Sequence, residues 1–150
     1  MKIKEILLID MDDVLADFTT AKLKAIENVP IIGIPWCQYK FFENLEPMKD
    51  AIESVKILSE HYDICILTRP SVMNPLSYTE KRVWVEKYFG YNMCVNLILC
   101  YDKTMVQGDY LIDDNLHVGR FNPSWKHIHF GQNNFLDWLM VTDFLMNKIK

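Results

Sequence analysis

The sequence predicts a single α/β domain built on a mainly parallel, doubly wound sheet, and three observations carry that expectation. Short apolar runs recur along the chain without polar alternation, which is how strands covered on both faces read. Segments of helical period lie between them, as crossover connections of a parallel sheet require. Each strong apolar run also ends in polar residues, and the carboxyl ends of parallel strands share one edge, where ligands bind.

The elements follow in order. Ile6-Leu7-Leu8-Ile9 reads as the first strand and runs directly into Asp10-Met11-Asp12-Asp13. A first helix is expected next, and then residues 28–46, "NVPIIGIPWCQYKFFENLE", interrupt the pattern with Pro30, Gly33 and Pro35 and a density of aromatics too high for a plain linker. This stretch is an insertion, either a surface loop packed down by its aromatics or a lid over a substrate. Residues 49–60 carry Ile52, Val55 and Leu58 on one helical stripe, with Asp50 as an acid suited to the first turn. The second strand is Ile64-Cys65-Ile66-Leu67, followed by Thr68-Arg69. A helix over 79–89 is closed by Gly90. Leu97-Ile98-Leu99-Cys100 precedes Asp102-Lys103, and Tyr110-Leu111-Ile112 precedes Asp113-Asp114. A weaker run, Ile128-His129-Phe130, and a closing helix over 133–148 complete the chain.

Composition narrows the function. At 150 residues, 50% hydrophobic and 24% charged, with no repeat or low-complexity tract, the chain suits one folded domain spanning 1–150. A formal charge of −4 argues against a general nucleic-acid binder, so no stable nucleic-acid complex is expected. Cys37, Cys65, Cys94 and Cys100 have no paired metal-ligand spacing, which suits a reducing cytoplasm. No stretch approaches the ~20 apolar residues of a membrane span. His127 and His129 share a face of the last strand but have no acid or Cys partner in the pattern, so they read as structural.

The strand-end residues raise a physical question, because carboxylates crowded on a low-dielectric rim repel one another. If the chain past the first strand stays extended, Asp10 and Asp12 point the same way and join Asp113, with Thr68 and Lys103 nearby. A cation resolves the repulsion. Mg²⁺ favours such hard oxygen ligands and commonly shares them with a substrate phosphate, whose charge a Lys and a hydroxyl would help to stabilise.

These residues resemble, in order, the four motifs of the haloacid dehalogenase superfamily of phosphotransferases, whose fold is Rossmann-like. Longer stretches resemble its 5'(3')-deoxyribonucleotidase branch. "DMDDVLADF" (10–18) is similar to DMDGVLADF, "FFENLEPM" (41–48) to FFxxLEPL, and "EKRVWVEKYFG" (80–90) to EKYAWVEKYFG. "DKTMVQGDYLIDD" (102–114) is similar to DKTxVxxDxLIDD, and "PSWKHIHF" (123–130) to PSWxHVLF. The resemblance covers most of the chain outside 19–39.

What it implies is a phosphatase of small phosphate esters, nucleoside monophosphates and deoxyribonucleotides in particular. Asp10 would be the nucleophile and Asp12 the acid and base. Mg²⁺ would be held by the Asp10 carboxylate, the Asp12 backbone carbonyl and Asp113, with Asp114 in support. Thr68 would bind phosphate. Lys103 is expected to neutralise it; Lys81 is the second candidate, its alternative being an ordinary solvated helix lysine.

Three departures from the branch stand out. Asp13 replaces a Gly and is expected to be an outward, solvated acid. Arg69 replaces a Ser and either contacts phosphate or caps a loop. The cap, about 19–46, is short, and Trp36, Tyr39, Phe41 and Phe42 are its candidate substrate-facing aromatics. So little cap leaves room for phosphatases of other esters or of nucleic-acid 3' ends, for a homodimer that completes the lid, and for a non-catalytic nucleotide binder. A signalling receiver domain fits less well, because here Thr68 precedes Lys103 and the acidic pair comes last.

Overall fold

The computed structural model describes residues 3–28, 33–117 and 119–149. Five strands, β1 (Ile6–Ile9), β2 (Asp63–Thr68), β3 (Leu97–Leu99), β4 (Tyr110–Asp113) and β5 (Lys126–His129), form one sheet in the order β3-β2-β1-β4-β5. All four pairings are parallel. Helices α1 (Phe18–Asn28), α2 (Ala51–Ser59), α3 (Leu76–Phe89) and α4 (Trp138–Ile149) connect or follow the strands.

The apolar runs alternate between two cores. Leu7, Ile9, Ile64, Ile66 and Ile112 face the larger one, which takes the buried residues of α2, α3 and α4, including Trp84 and Trp138. Leu8, Leu67 and Leu111 face a smaller cluster closed by Val106 and Trp125. Burial on both faces is why these strands read as continuous apolar stretches.

The strand order places the site. After β1 the chain pairs outward to β2 and β3, then crosses back so that β4 lies on the other side of β1. That reversal opens a crevice beyond the carboxyl end of β1. The register, Ile9 opposite Ile112 and opposite Ile66, sets Asp10 level with Asp113 and puts Thr68 close by. The Asp10 N–H donates to Ile112 O at 2.9 Å, extending the ladder one residue past β1.

Several local expectations change. The chain does not stay extended past Asp12; it turns, with the Leu15 and Ala16 N–H groups both on Met11 O at 2.8 Å. Asp13 takes a left-handed φ of 58°, and its carboxylate accepts from Thr19 N and Thr19 Oγ1 at 2.7 Å each. It therefore pins the first turn of α1 instead of standing free in solvent. Asp50 precedes α2 with a left-handed φ of 62° and makes no side-chain cap. The last helix starts at Trp138 because Asn133, at φ 49°, turns the chain beforehand and Asp137 Oδ1 accepts the Met140 N–H.

Candidate active site

Asp10, at the end of β1, is almost fully buried, and Lys103 Nζ lies 2.6 Å from its Oδ1. The same ammonium lies 2.5 Å from Asp113 Oδ2, so Lys103, in the turn after β3, bridges the carboxylates that β1 and β4 set side by side. His117 Nε2 reaches Asp113 Oδ2 at 2.7 Å, and the Asn115 N–H donates to Oδ1. Every oxygen of the fully buried Asp113 thus has a donor.

Asp12 faces a different cation. Lys81 Nζ, from α3, donates to Asp12 Oδ2 at 2.7 Å, Thr68 Oγ1 at 2.8 Å and Arg69 O at 2.8 Å. Lys81 is completely buried beneath the Phe42 ring, which overturns the reading of a solvated helix lysine. Thr68 is also buried; its hydroxyl accepts from Lys81 and keeps its own hydrogen to donate. Asp12 Oδ1 is buried with no partner. An unpaired carboxylate oxygen in such a place is costly unless a ligand supplies its partner.

The expected cluster of Asp10, Asp12 and Asp113 is therefore rearranged. The carboxylates that converge are Asp10, Asp113 and Asp114, which can place one oxygen each within 4.8 Å of the others, while the Asp12 side chain turns to Lys81. Burial, with Asp113 and Asp12 adding to it against the pull of Lys103, raises Asp10 to about 6. Burial and the charges of Asp10, Asp113 and Asp13 raise Asp114 to about 7. For Asp113 burial is outweighed by His117 and Lys103, which hold it below the usual carboxylate range. Burial alone would lower Lys103, but Asp10 and Asp113 together raise it, so it stays charged. Three hard oxygen donors in mutual repulsion fit a divalent cation.

A pocket of about 380 Å³ opens over these groups. Asp10, Asp12, Lys103 and Asp114 line its floor, Phe18, Trp36 and Phe42 one side, and Arg69, Val72, Met73 and Tyr101 others. The cap aromatics divide. Trp36 and Phe42 face the pocket, but Phe41 packs into the core and Tyr39 is 75% exposed, outside the pocket lining. Phe18, at the start of α1, is the centre of the cluster, 6.0 Å from Phe42 in a stacked pair and 6.2 Å from Trp36.

The cap is also bound down. Both carboxylate oxygens of the buried Glu80 accept cap N–H groups, from Lys40 at 2.8 Å and Phe42 at 3.0 Å. Trp84 Nε1 donates to Leu45 O, and the Asn74 amide donates to Trp36 O. Residues 33–46 are thus a loop packed onto the domain, with Trp36 and Phe42 on the pocket lining; Pro30 lies outside the described residues.

Sequence reasoning did not single out Phe18, Tyr101, Asn115 or His117 as site residues. Asn115 and His117 fall just past the fourth strand end, so the strand-end rule would have reached them a few positions further on. His127 and His129 do prove structural: their Nε2 atoms meet Asp113 O at 3.0 Å and Asp114 O at 2.9 Å and hold the backbone of the acidic pair.

Comparison with known proteins decides the lineage. The family described as "5' nucleotidase, deoxy (Pyrimidine), cytosolic type C protein" matches residues 35–135. The chain belongs to this cytosolic type C 5'-nucleotidase family. It is a phosphoric monoester hydrolase, as the resemblance of its motifs implied. Among relatives of this nucleotidase, a protein of Vibrio phage KVP40, provisionally named a 5'(3')-deoxyribonucleotidase, is 36% identical over 153 residues, covering 98% of this chain and 88% of the relative. The human mitochondrial 5'(3')-deoxyribonucleotidase is 33% identical over 156 residues, covering 82% and 68%. A haloacid dehalogenase-like family hydrolase from Xanthomonas campestris shares the fold, with a TM-score of 0.53 over 98% of this nucleotidase and 96% of that chain at 9% identity. No helix among the described residues is long and apolar enough to cross a membrane.

Proposed function

We propose that the protein is a Mg²⁺-dependent phosphatase of nucleoside monophosphates, deoxyribonucleotides in particular, working through a phosphorylated Asp10. The observation that carries this reading is the division of labour between two neighbouring acids. Asp10 is clamped by Lys103 on the pocket floor, while Asp12, held by Lys81, keeps one buried oxygen unpaired.

In the first step an Asp10 oxygen attacks phosphorus and the ester oxygen leaves, taking a proton from Asp12. In the second, water gives its proton back to Asp12 and attacks the phosphorus of the acyl phosphate, releasing inorganic phosphate and the Asp10 carboxylate. Lys103 offers positive charge to the transferring group, and Thr68 holds Lys81 in line with Asp12 with a hydrogen left to donate. Arg69 rests its guanidinium 4.7 Å above the Tyr101 ring and adds a second cation at the rim. The Asp10, Asp113 and Asp114 carboxylates, with the Asp12 carbonyl that the resemblance implies, would hold Mg²⁺, which supplies charge neutralisation for the phosphoryl oxygens. Phe18, Trp36 and Phe42 offer apolar faces to a base. Four unpaired cysteines suit a cytoplasmic setting.

Phosphate release from a panel of deoxy- and ribonucleoside monophosphates and unrelated esters, with Mg²⁺ or EDTA, tests this. Turnover of deoxynucleotides that EDTA abolishes is the expected result. Turnover of other esters alone would discard the nucleotidase assignment, and nucleotide binding without turnover would indicate a non-catalytic binder.

The raised acids make a separate prediction. A carboxyl group titrates near pH 4 when unfolded, whereas Asp10 and Asp114 titrate at about 6 and about 7 in the fold. Between those limits the folded chain binds more protons than the unfolded one, so these two groups lose stability as pH rises. Asp113 shifts the opposite way, but its window lies below the ordinary carboxylate range. Bound Mg²⁺ opposes the loss. The rise in melting temperature on adding Mg²⁺ is expected to be larger near pH 8 than near pH 5, measured by calorimetry; equal rises at both would refute the assignment of the triad as the cation site.

A further inference from the structure

Beside the catalytic pocket lies a second one, lined by Arg69, Tyr101, Asp102, Gly119 and Arg120. Arg69 and Tyr101 line both, so the two pockets share a wall. That wall is ordered by its own contacts. Arg69 Nε donates to Tyr101 O at 2.8 Å and its guanidinium lies on the Tyr101 ring, which leaves the two terminal nitrogens for a ligand.

Arg120 is carried by a loop seated tightly on the turn after β3. A Cβ at Gly119 would stand 2.1 Å from Thr104 Oγ1 and 2.3 Å from Asp102 Oδ1, so the backbone there approaches as closely as only glycine permits. The one acid in the second pocket is already engaged. Asp102 accepts from Thr104 Oγ1 at 2.5 Å, Thr104 N at 3.1 Å and Arg120 N at 3.3 Å. Two guanidinium groups against one hydrogen-bonded carboxylate leave this corner net positive on a chain whose overall charge is −4. A positive corner reached from a phosphatase pocket is suited to a second phosphate, since planar, multiply donating guanidinium groups match phosphate oxygens.

We propose that the Arg69 and Arg120 pocket binds the non-reacting phosphate of a nucleoside bisphosphate whose other phosphate lies on Asp10. The inference rests on the phosphatase reading above and adds a substrate class to it. A small bisphosphate is favoured over a nucleic-acid 3' end because the rest of the chain carries net negative charge, which would repel a longer backbone.

The test compares a deoxynucleoside 3',5'-bisphosphate with the matching 5'-monophosphate, using wild type and Arg120→Ala. Arg120 lines the second pocket and not the catalytic one, so the monophosphate KM should change by less than about twofold, while loss of one charged contact should raise the bisphosphate KM by about tenfold. An equal change for both substrates, or none for either, would overturn the proposal. Calorimetric titration of the bisphosphate into Asp10→Asn protein, with and without Arg120→Ala, separates the two readings. If the monophosphate is not turned over but Arg120→Ala still weakens bisphosphate binding about tenfold, the second site stands and the phosphatase reading falls. Unchanged binding would remove the second site alone. A 3'-phosphorylated oligonucleotide bound more tightly than the bisphosphate, through Arg120, would also overturn the assignment of substrate class.

Discussion

Replacing Asp10 by Asn is expected to lower kcat by at least about 10⁴-fold, the scale on which removal of a covalent nucleophile acts. The substitution keeps the shape of the side chain and an oxygen for Lys103, so positioning survives while the carboxylate proposed to attack phosphorus does not. Stability should move the other way. Asp10 is nearly buried and shares its surroundings with Asp113 and Asp12, and these together push its pKa to about 6. Removing that charge relieves repulsion in the protein without metal, so its melting temperature should equal or exceed that of wild type, and the stabilisation by Mg²⁺ should shrink because one oxygen donor is gone. Residual turnover within about tenfold of wild type would mean that Asp10 does not form the covalent bond.

The second large effect is expected at Lys103. Its Nζ lies between Asp10 Oδ1 and Asp113 Oδ2, and both carboxylates are buried. Substituting Met keeps much of the stem volume but leaves two buried carboxylates without their shared cation. Breaking a buried ion pair by removing one partner costs about 3–5 kcal/mol, because the charge left behind has lost its water and its partner. Chemical denaturation of Lys103→Met without Mg²⁺ should show a loss of that size near neutral pH, and Mg²⁺ should restore part of it by neutralising the same oxygens. Turnover should fall by about 10²–10³-fold, the range found when one donor to a developing charge is removed. A variant as stable as wild type and within about tenfold of its activity would assign phosphate neutralisation to another cation, Lys81 beside Asp12 or Arg69 on the pocket wall.

Lys81 shows why only part of the site was legible in the sequence. The four strand ends could be read because continuous apolar runs mark buried parallel strands, and the geometry of a parallel sheet brings their carboxyl ends to one edge. That reasoning reaches Asp10, Asp12, Thr68, Lys103, Asp113 and Asp114 directly. Lys81 sits in the interior of α3, and nothing in a helical repeat distinguishes a lysine sealed under Phe42 against Asp12 from one in solvent. Its burial is a consequence of how the cap lies over α3, and Glu80 beside it fixes that placement by accepting two cap N–H groups.

The cap follows the same logic. Its aromatic density was visible, but which rings face the pocket depends on tertiary packing, so Trp36 and Phe42 face it while Phe41 turns to the core and Tyr39 to solvent. The exchange of Asp12 for Asp114 in the carboxylate triad has a backbone cause. The turn closed on Met11 O ends the extended chain that the spacing argument assumed, and Asp12 is drawn to Lys81. The order of strands, which sets Asp10 beside Asp113, could not be read from composition or period at all.

The central claim is a covalent bond between phosphorus and Asp10, and it can be observed directly. The protein is mixed with Mg²⁺ and a deoxynucleoside monophosphate, quenched in acid during turnover, cleaved, and its peptides are weighed. The mass of one phosphoryl group on the peptide containing Asp10, absent from Asp10→Asn protein, is the predicted result. Turnover that proceeds with no adduct on Asp10, or with the phosphoryl group on another side chain, would contradict it.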